Sequence, residues 1–286
     1  IKAIHNEDND DDMKKFKYPF PVPCSIETAL KCYVDFHGIP KHSLLSHFLP
    51  YIKDIKQKSW LENILDKKNS NLFKNEITVN GKSIYSLLMT ELSSCDMPLA
   101  DILHILPSIQ PRYYTISSSS SLHPKSVHIT VSITKFHVNN KKKSDPFIGL
   151  TSKYIENSTN GSKFRAFIRP SSFRLPKKNN TPILMIGPGT GIAPMRALLQ
   201  EREYKHKNSK GKTATDAPKN TLYFGCKYSD VDYIYRDELE EYVKNTNTNL
   251  TLNTSFSREG KKGVDKIYVQ HLMQDTKRSN EIIEDL

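Results

Sequence analysis

Residues 182–202 read Pro-Ile-Leu-Met-Ile-Gly-Pro-Gly-Thr-Gly-Ile-Ala-Pro-Met-Arg-Ala-Leu-Leu-Gln-Glu-Arg, so a short apolar run passes through a glycine turn into a helical pattern. Gly187, Gly189 and Gly191 permit positive φ angles and a close approach of the backbone to a ligand. The helix that follows presents N–H groups without helical partners to an anion. The segment predicts a phosphate site, with Thr190 as a hydroxyl donor, or equally a strand–helix junction without a ligand. Its spacing is not the Gly-x-Gly-x-x-Gly fingerprint.

Strands and helices alternate from this turn towards the carboxyl end of the chain. The pattern predicts strands at 183–186, 221–225 and 250–256, and helices at 193–204 and 237–244. Such alternation is typical of a parallel sheet with crossover helices, in which ligands bind at the carboxyl ends of the strands. We therefore predict an α/β domain over residues 181–286.

Two other patterns precede the α/β domain. Residues 18–110 carry apolar residues at helical spacing, behind the capping signal of Ser25 and Glu27, and predict a helical domain. Residues 111–180 hold short alternating runs separated by polar loops, which is typical of a small antiparallel barrel. Residues 1–17 are acidic and polar and predict a solvated loop or tail.

The composition of the 286 residues indicates a globular protein of one large or two ordinary domains. Lys and Arg number 42 against 31 acids, and the formal charge of +11 favours anionic partners. Lysine-rich loops at 139–144 and 205–220 lack an aromatic platform, so we predict no nucleic-acid partner. The four cysteines lack Cys-x-x-Cys spacing, which predicts neither a metal site nor a disulfide framework. No apolar run is long enough to cross a bilayer, so we expect this chain alone to be soluble.

A cluster of functional side chains lies in Arg112-Tyr-Tyr-Thr-Ile-Ser-Ser. Alternation along a strand puts Arg112 and Tyr114 on one face. There a guanidinium can pair with a pyrophosphate, and an aromatic ring can stack on a planar cofactor. Taken alone, the segment favours the simpler interpretation of an exposed arginine beside core tyrosines.

Ordered motifs along nearly the whole chain bear on this choice. They are Tyr18-Pro-Phe-Pro, Thr28-Ala-Leu, Arg112-Tyr-Tyr-Thr-Ile-Ser-Ser, His123-Pro, Ser126-Val-His-Ile, Ser172-Phe-Arg-Leu-Pro, Gly187-Pro-Gly-Thr-Gly-Ile-Ala-Pro, Tyr223-Phe-Gly-Cys, Asp232-Tyr-Ile-Tyr-Arg, Ser255-Phe-Ser-Arg-Glu and Tyr268-Val-Gln. In these motifs the chain resembles the diflavin reductases, and among them the branch that reduces cytochromes P-450. The resemblance implies an antiparallel FAD-binding β-barrel over 111–180, incomplete at its amino-terminal side, with an inserted helical connecting domain at 18–110. A parallel ferredoxin-reductase-type NADP-binding domain, incomplete at its carboxyl end, would follow over 181–286.

The resemblance implies a set of FAD-binding residues. Arg112 would bind the FAD pyrophosphate, and Tyr114 would stack on the isoalloxazine. Thr115, where relatives usually carry Ser, would offer a hydroxyl at the reactive edge of the flavin as the candidate catalytic group. The flavin would be lined by Thr130, Val131 and Ser132, and its phosphates bound by Gly149, Leu150, Thr151 and Ser152 at a helix N-terminus. For the last four residues an ordinary helix cap is the alternative.

The resemblance also implies a set of NADPH-binding residues. The glycine turn would meet the nicotinamide-side phosphate, and a Ser–Arg pair with a nearby lysine would hold the dianionic 2′-phosphate of the adenosine. A solvated basic loop is the alternative for that pair. The insertion Gly260–Asp265 lengthens this loop and makes the place of the lysine less certain. The set is Gly189, Thr190, Gly191, Cys226 as a buried thiol, Ser257, Arg258, Lys266, Tyr268 and Gln270.

Full-length diflavin reductases also carry a membrane anchor and an FMN domain, both of which would precede this chain. The resemblance implies that NADPH reduces FAD and that electrons pass through FMN to a haem-protein acceptor. The partners would then be the FMN domain and that acceptor. The anchor, outside this chain, would hold the protein at the cytosolic face of the endoplasmic reticulum. Two alternatives stay open: a sulfite, methionine-synthase or nitric-oxide-synthase type of diflavin reductase, and a truncated non-catalytic fragment that binds nucleotide.

Overall fold

The computed structural model describes residues 20–136, 147–209, 211, 213, 216–260 and 266–285. These residues form two compact units. The helical unit lies within Ile1–Arg112 and Ile133–Ser158, and the sheet unit lies within Tyr113–Ser132 and Thr159–Leu286. Residues 111–180, for which the sequence predicts a single barrel, are thus divided between the two units.

Short helices build the helical unit, and those between residues 26 and 105 pack around one apolar core. Ser25 begins the first helix as its pattern predicts, because the Ser25 hydroxyl accepts a hydrogen bond of 3.0 Å from the Thr28 N–H. Leu45, Leu61 and Leu87 are fully buried in the shared core. The helices are α1 (Ile26–Cys32), α2 (His42–Ser46), α3 (Ile55–Leu65), α4 (Ser70–Phe73), α5 (Ile84–Met89), α6 (Leu99–Ile105) and α7 (Leu150–Glu156), with 3₁₀ turns at Leu49–Tyr51 and Lys67–Asn69 and a π-helical segment at Lys74–Val79.

Strand pairing between residues 111 and 180 is sparse in the described part of the chain. β1 (Lys135–Phe136) pairs antiparallel with β2 (Phe147–Ile148), and an isolated bridge joins Ile116 to Ile129. The described residues do not close into a barrel, and the barrel stays a prediction.

The sequence predicts strands at 112–116, 126–136 and 163–168, and most of these residues are extended without ladder partners. Alternating polar and apolar residues specify an extended chain, whereas a ladder also needs a neighbouring strand in register.

A three-stranded parallel sheet in the order β3–β4–β5 forms the centre of the sheet unit. β4 is the middle strand and every one of its residues is buried, which explains why residues 222–226 form an unbroken run without charged or amide side chains. The register sets Leu184 opposite Thr221, and Thr221 opposite Thr251. The strands are β3 (Ile183–Ile186), β4 (Asn220–Cys226) and β5 (Leu250–Phe256), and the helices are α8 (Ile192–Lys207), α9 (Arg236–Lys244), α10 (Val269–Met273) and α11 (Thr276–Asp285).

The predicted parallel sheet with crossover helices is confirmed. β3 and β5 have the bounds that the sequence predicts, and α8 extends the predicted helix by one residue at its start and three at its end. Across the described residues, no helix is both long enough and apolar enough to span a membrane.

Candidate cofactor-binding site

A cavity of about 550 Å³ opens at the carboxyl ends of the three parallel strands. Open α/β sheets bind their ligands at this edge, because the loops that follow the strands converge there. The wall is built entirely from the sheet unit. It includes many residues singled out in the sequence: Thr130, Val131, Ser132, Gly189, Thr190, Cys226, Ser257, Tyr268 and Gln270.

The turn between β3 and α8 needs glycine for two different reasons. Gly187 is buried, and a Cβ atom there would lie 2.7 Å from the carbonyl oxygen of Gly191 and 2.9 Å from Cγ of Met195. Gly189 has a φ angle of +56°, which other residues rarely adopt. The turn therefore places Thr190 and the start of α8 beside the cavity, an arrangement suited to a phosphate.

The loops that follow β4 and β5 stay paired beyond the ends of the strands. The Ser257 N–H donates to the carbonyl of Cys226 at 2.9 Å, and the Arg258 N–H donates to the carbonyl of Lys227 at 3.0 Å. These bonds fix the Ser257 hydroxyl at the cavity wall and bring Arg258 and Lys227 onto neighbouring loops. The Ser257 hydroxyl donates to the carbonyl of Cys226 at 3.3 Å, and Lys227 lines the cavity beside these loops, so a hydroxyl and a cation are available to an anionic group.

Cys226 is buried, and its thiol is unreactive at neutral pH. Burial, together with the negative charges of Asp232 and Glu259, raises the pKa of Cys226 to about 11. The carboxyl of Glu259 accepts a hydrogen bond from the Ser229 N–H, which lowers the pKa of Glu259. At neutral pH the thiol is therefore protonated, and Cys226 contributes shape to the wall rather than a nucleophile.

Two family models match the chain. An FAD binding domain matches residues 2–154, and an oxidoreductase NAD-binding domain matches residues 185–284. The chain belongs to the FAD binding domain family. The second match contains the glycine turn and all of the cavity wall from Pro188 to Gln270.

Curated relatives of this FAD binding domain protein include several NADPH–cytochrome P450 reductases. The chain is 39% identical over 279 residues to that of Musca domestica, 38% over 280 residues to that of Drosophila melanogaster and 32% over 291 residues to that of Homo sapiens. These alignments cover 96%, 96% and 99% of this chain, but 39%, 39% and 41% of the relatives. The chain thus spans about two fifths of the length of the curated relatives it matches.

The sheet unit of this FAD binding domain protein holds several of the residues predicted to bind FAD. Tyr114 is half-buried and Thr115 is exposed, and neither contributes to the cavity wall. Thr130 does line the cavity, and its hydroxyl lies 2.8 Å from the hydroxyl of Tyr235. The structure therefore brings residues 130–132, but not 114 and 115, to the predicted NADPH residues.

The helical unit holds the remaining residues predicted to bind FAD. Arg112 is exposed, and its Nη1 donates to the carbonyl of Gln110 at 2.5 Å. Gly149 caps α7, and the hydroxyl of the buried Ser152 accepts a hydrogen bond of 3.0 Å from the Thr134 N–H. The Ser152 hydroxyl thus ties α7 to the residue that immediately precedes β1. The first turn of α7 also contains Leu150 and Thr151.

Three residues predicted to bind NADPH lie outside the cavity wall. Gly191 is in the turn but does not line the cavity, and Arg258 and Lys266 are exposed. The insertion predicted to displace Lys266 falls largely on residues 261–265, which lie outside the described residues.

Sequence reasoning did not find the polar network behind the cavity. Arg196, on α8, is buried and donates from Nε to Glu238 at 2.7 Å and from Nη1 to the carbonyl of Ser117 at 2.6 Å. Gln200, one turn further along α8, donates to Glu238 at 2.9 Å. The detectable signal was the pair of polar residues at i and i+4 on the apolar face of a helix.

Proposed function

We propose that this chain accepts a hydride from NADPH onto FAD. The observation that carries the proposal is the shared wall of the cavity. Residues 130–132, implied to line the flavin, lie there together with Thr190 and Ser257, implied to bind NADPH. Hydride transfer requires both cofactors in close contact, so residues for the two must meet in one place. The matches to an FAD binding domain and an NAD-binding domain support the same conclusion.

The residues at the cavity suit a dinucleotide. The Oγ atom of Ser255 is buried at the wall and has no hydrogen-bond partner within the described structure. Buried hydroxyls normally have a partner, and a bound ligand can supply one here. Lys227 adds a positive charge to the wall, and Gly187 lets α8 start close to the end of β3.

Two groups of the predicted NADPH residues would bind different phosphates of the nucleotide. Thr190 and the start of α8 would bind the nicotinamide-side phosphate, because the N–H groups of a first helical turn lack helical partners. The 2′-phosphate is dianionic and would be bound by Ser257, Arg258, Lys266 and Tyr268. This assignment makes the protein selective for NADPH over NADH.

The FAD residues would bind and orient the flavin. NADPH supplies the hydride and FAD accepts it, and the protein positions the reacting atoms. Arg112 would bind the pyrophosphate and residues 149–152 the phosphates from the first turn of α7. Tyr114 would stack on the ring system, and Thr115 would present its hydroxyl at the reactive edge.

The relatives extend the proposal to the protein that contains this chain. Because they are named NADPH–cytochrome P450 reductases, we propose that electrons pass from FAD through FMN to a haem protein. The helical unit would then carry the connecting domain of residues 18–110, and residues 111–180 would belong to a flavin-binding barrel. The cytosolic face of the endoplasmic reticulum is the proposed location.

Cofactor loading followed by reduction tests the proposal. The chain is mixed with FAD, desalted, and its visible absorption is recorded before and after anaerobic NADPH or NADH. Retained flavin that is bleached by NADPH and far more slowly by NADH is expected. Loss of the flavin on desalting would instead support the alternative of a non-catalytic nucleotide-binding fragment. Assays of the longer protein that also carries the FMN domain, with haem-protein, sulfite-reductase and methionine-synthase acceptors, then separate the types of diflavin reductase.

A further inference from the structure

Tyr235 has a backbone conformation that is unusual for a residue with a side chain. Its φ and ψ angles are 60° and 22°, in the left-handed region, and it immediately precedes α9. Residues keep such angles where their surroundings hold them in place, and these positions cluster at functional sites. The surroundings of Tyr235 are therefore informative.

The hydroxyl of Tyr235 contacts two extended stretches of the segment that carries the predicted flavin residues. It lies 2.8 Å from Oγ1 of Thr130 and 3.4 Å from Oγ of Ser117. Thr130 lines the cavity, whereas Tyr235 does not. Tyr235 thus stands directly behind a residue of the wall.

The guanidinium of Arg196 packs against the ring of Tyr235. The guanidinium carbon lies 4.6 Å from the centre of the ring, a cation–π contact, and the arginine is 8% exposed. The same guanidinium binds the carbonyl of Ser117 and the carboxylate of Glu238. One buried cation therefore contacts both the ring of Tyr235 and the main-chain carbonyl of Ser117, the residue whose side-chain hydroxyl lies near that of Tyr235.

Ser117 and Thr130 follow two extended stretches of chain that are paired with each other. The Ser117 N–H donates to the carbonyl of His128 at 2.8 Å, and a β-bridge joins Ile116 to Ile129. The two extended stretches that precede Ser117 and Thr130 are thus held together, and Tyr235 fastens both to the start of α9.

We propose that Tyr235 is a positioning residue of the reductase: its hydroxyl, held in place by Arg196, contacts the buried Ser117 and fixes Thr130 at the wall of the cavity. This inference rests on the proposed function. Tyr235 touches no reacting atom and acts through Thr130. Loss of the Tyr235 hydroxyl should therefore change the orientation of the bound flavin while the cavity itself remains.

The substitution Tyr235→Phe tests the inference, because it removes the hydroxyl and keeps the ring against Arg196. The matched control is Tyr233→Phe. The Tyr233 ring packs against Phe224 and Phe256 at 5.4 and 5.7 Å, and it lies outside the cavity wall. Each variant is made in the full chain, loaded with FAD, and studied by visible circular dichroism of the flavin and by its rate of reduction by NADPH.

Tyr235→Phe should slow flavin reduction roughly two- to tenfold, the effect of one lost hydrogen bond, and should change the flavin circular dichroism. Tyr233→Phe should leave both unchanged. In the chain without cofactor, hydrogen exchange of the Ser117 amide should quicken in Tyr235→Phe only. This last measurement does not depend on flavin.

A double-substitution cycle with Thr130→Val shows whether the two hydroxyls act together. If they form one interaction, Tyr235→Phe should add little to the effect of Thr130→Val on the reduction rate. Additive effects, or flavin spectra and rates in Tyr235→Phe that match those of Tyr233→Phe, would overturn the inference. Failure of the unsubstituted chain to retain FAD would instead overturn the proposed function, and this inference with it.

Discussion

The Nε atom of Arg196 lies 2.7 Å from Oε2 of Glu238 and joins α8 to α9. The side chains are 10% and 27% exposed. The other carboxylate oxygen of Glu238 accepts hydrogen bonds from Gln200 at 2.9 Å and from the hydroxyl of Tyr242 at 3.1 Å. Burial, above all, raises the pKa of Tyr242 and keeps that hydroxyl protonated as a donor. The ion pair is therefore a structural part of the sheet unit.

Glu238→Gln should destabilise the chain by about 2 kcal/mol, because it leaves the Arg196 cation buried without a counter-charge. The free energy of unfolding from a urea titration measures this effect. Asp96→Asn is the control. Its partner Lys53 lies at 2.6 Å, but the two side chains are 49% and 70% exposed, so the loss should stay below about 1 kcal/mol. Equal losses in the two variants would contradict the prediction.

Gly187→Ala should destabilise the chain by about 1–3 kcal/mol, because the added methyl group meets the carbonyl of Gly191 and the side chain of Met195. Gly191→Ala is the control, since its Cβ would lie 3.7 Å from Cδ of Pro188, an ordinary contact. Its stability should change by less than about 0.5 kcal/mol. A thermal unfolding series with both variants separates the two cases, and a larger loss in Gly191→Ala would show that Gly187 is not the crowded position of the turn.

Cys226 should resist alkylation until the solution is strongly alkaline. The thiolate is the reactive form, and burial raises the pKa of this thiol to about 11, so little thiolate is present between pH 7 and 9. Mass spectrometry after timed iodoacetamide treatment across this range measures the modification. Cys32 is exposed and serves as the internal control, with expected earlier modification. Rapid modification of Cys226 at pH 7 would show that the thiol is not shielded.

Arg258→Ala should weaken NADPH binding about ten- to a hundredfold and leave NADH binding nearly unchanged, because only NADPH carries the 2′-phosphate. A binding titration of the variant and the unsubstituted chain with each nucleotide measures the two affinities. Lys244→Ala removes an equal charge at the end of α9, near the start of β5 and away from the cavity edge, and should alter neither affinity. Equal weakening for both nucleotides would remove Arg258 from the 2′-phosphate site.

Much of the sheet unit could be predicted from the sequence. β3 is a continuous apolar run, β5 begins with the alternation Leu-Thr-Leu-Asn, and α8 repeats apolar residues at helical spacing, so all three follow from local patterns. Local patterns could not establish whether the strands of the predicted barrel pair with one another. The runs at 112–116 and 163–168 show that an extended pattern can be present without a ladder, because pairing depends on a second strand elsewhere.

Some functional residues in the loops could be predicted from the sequence, and others could not. Thr190, Ser257 and Tyr268 stood out because their motifs are local and ordered, and all three line the cavity. Arg196 did not stand out, and Tyr235 appeared only within the motif Asp232-Tyr-Ile-Tyr-Arg, with no role of its own. Their role depends on contacts with Ser117, 79 and 118 residues away along the chain, which no local pattern encodes.

The sequence by itself determined the glycine turn, the order of strands and helices and the excess of positive charge, because each depends on near neighbours or on composition. Only the tertiary structure decided which side chains meet. The parallel sheet brings the ends of β3, β4 and β5 to one edge, and the buried charge of Arg196 draws distant polar groups to it. A buried cation must be paired wherever its partners lie in the chain, so these contacts follow from folding rather than from sequence order.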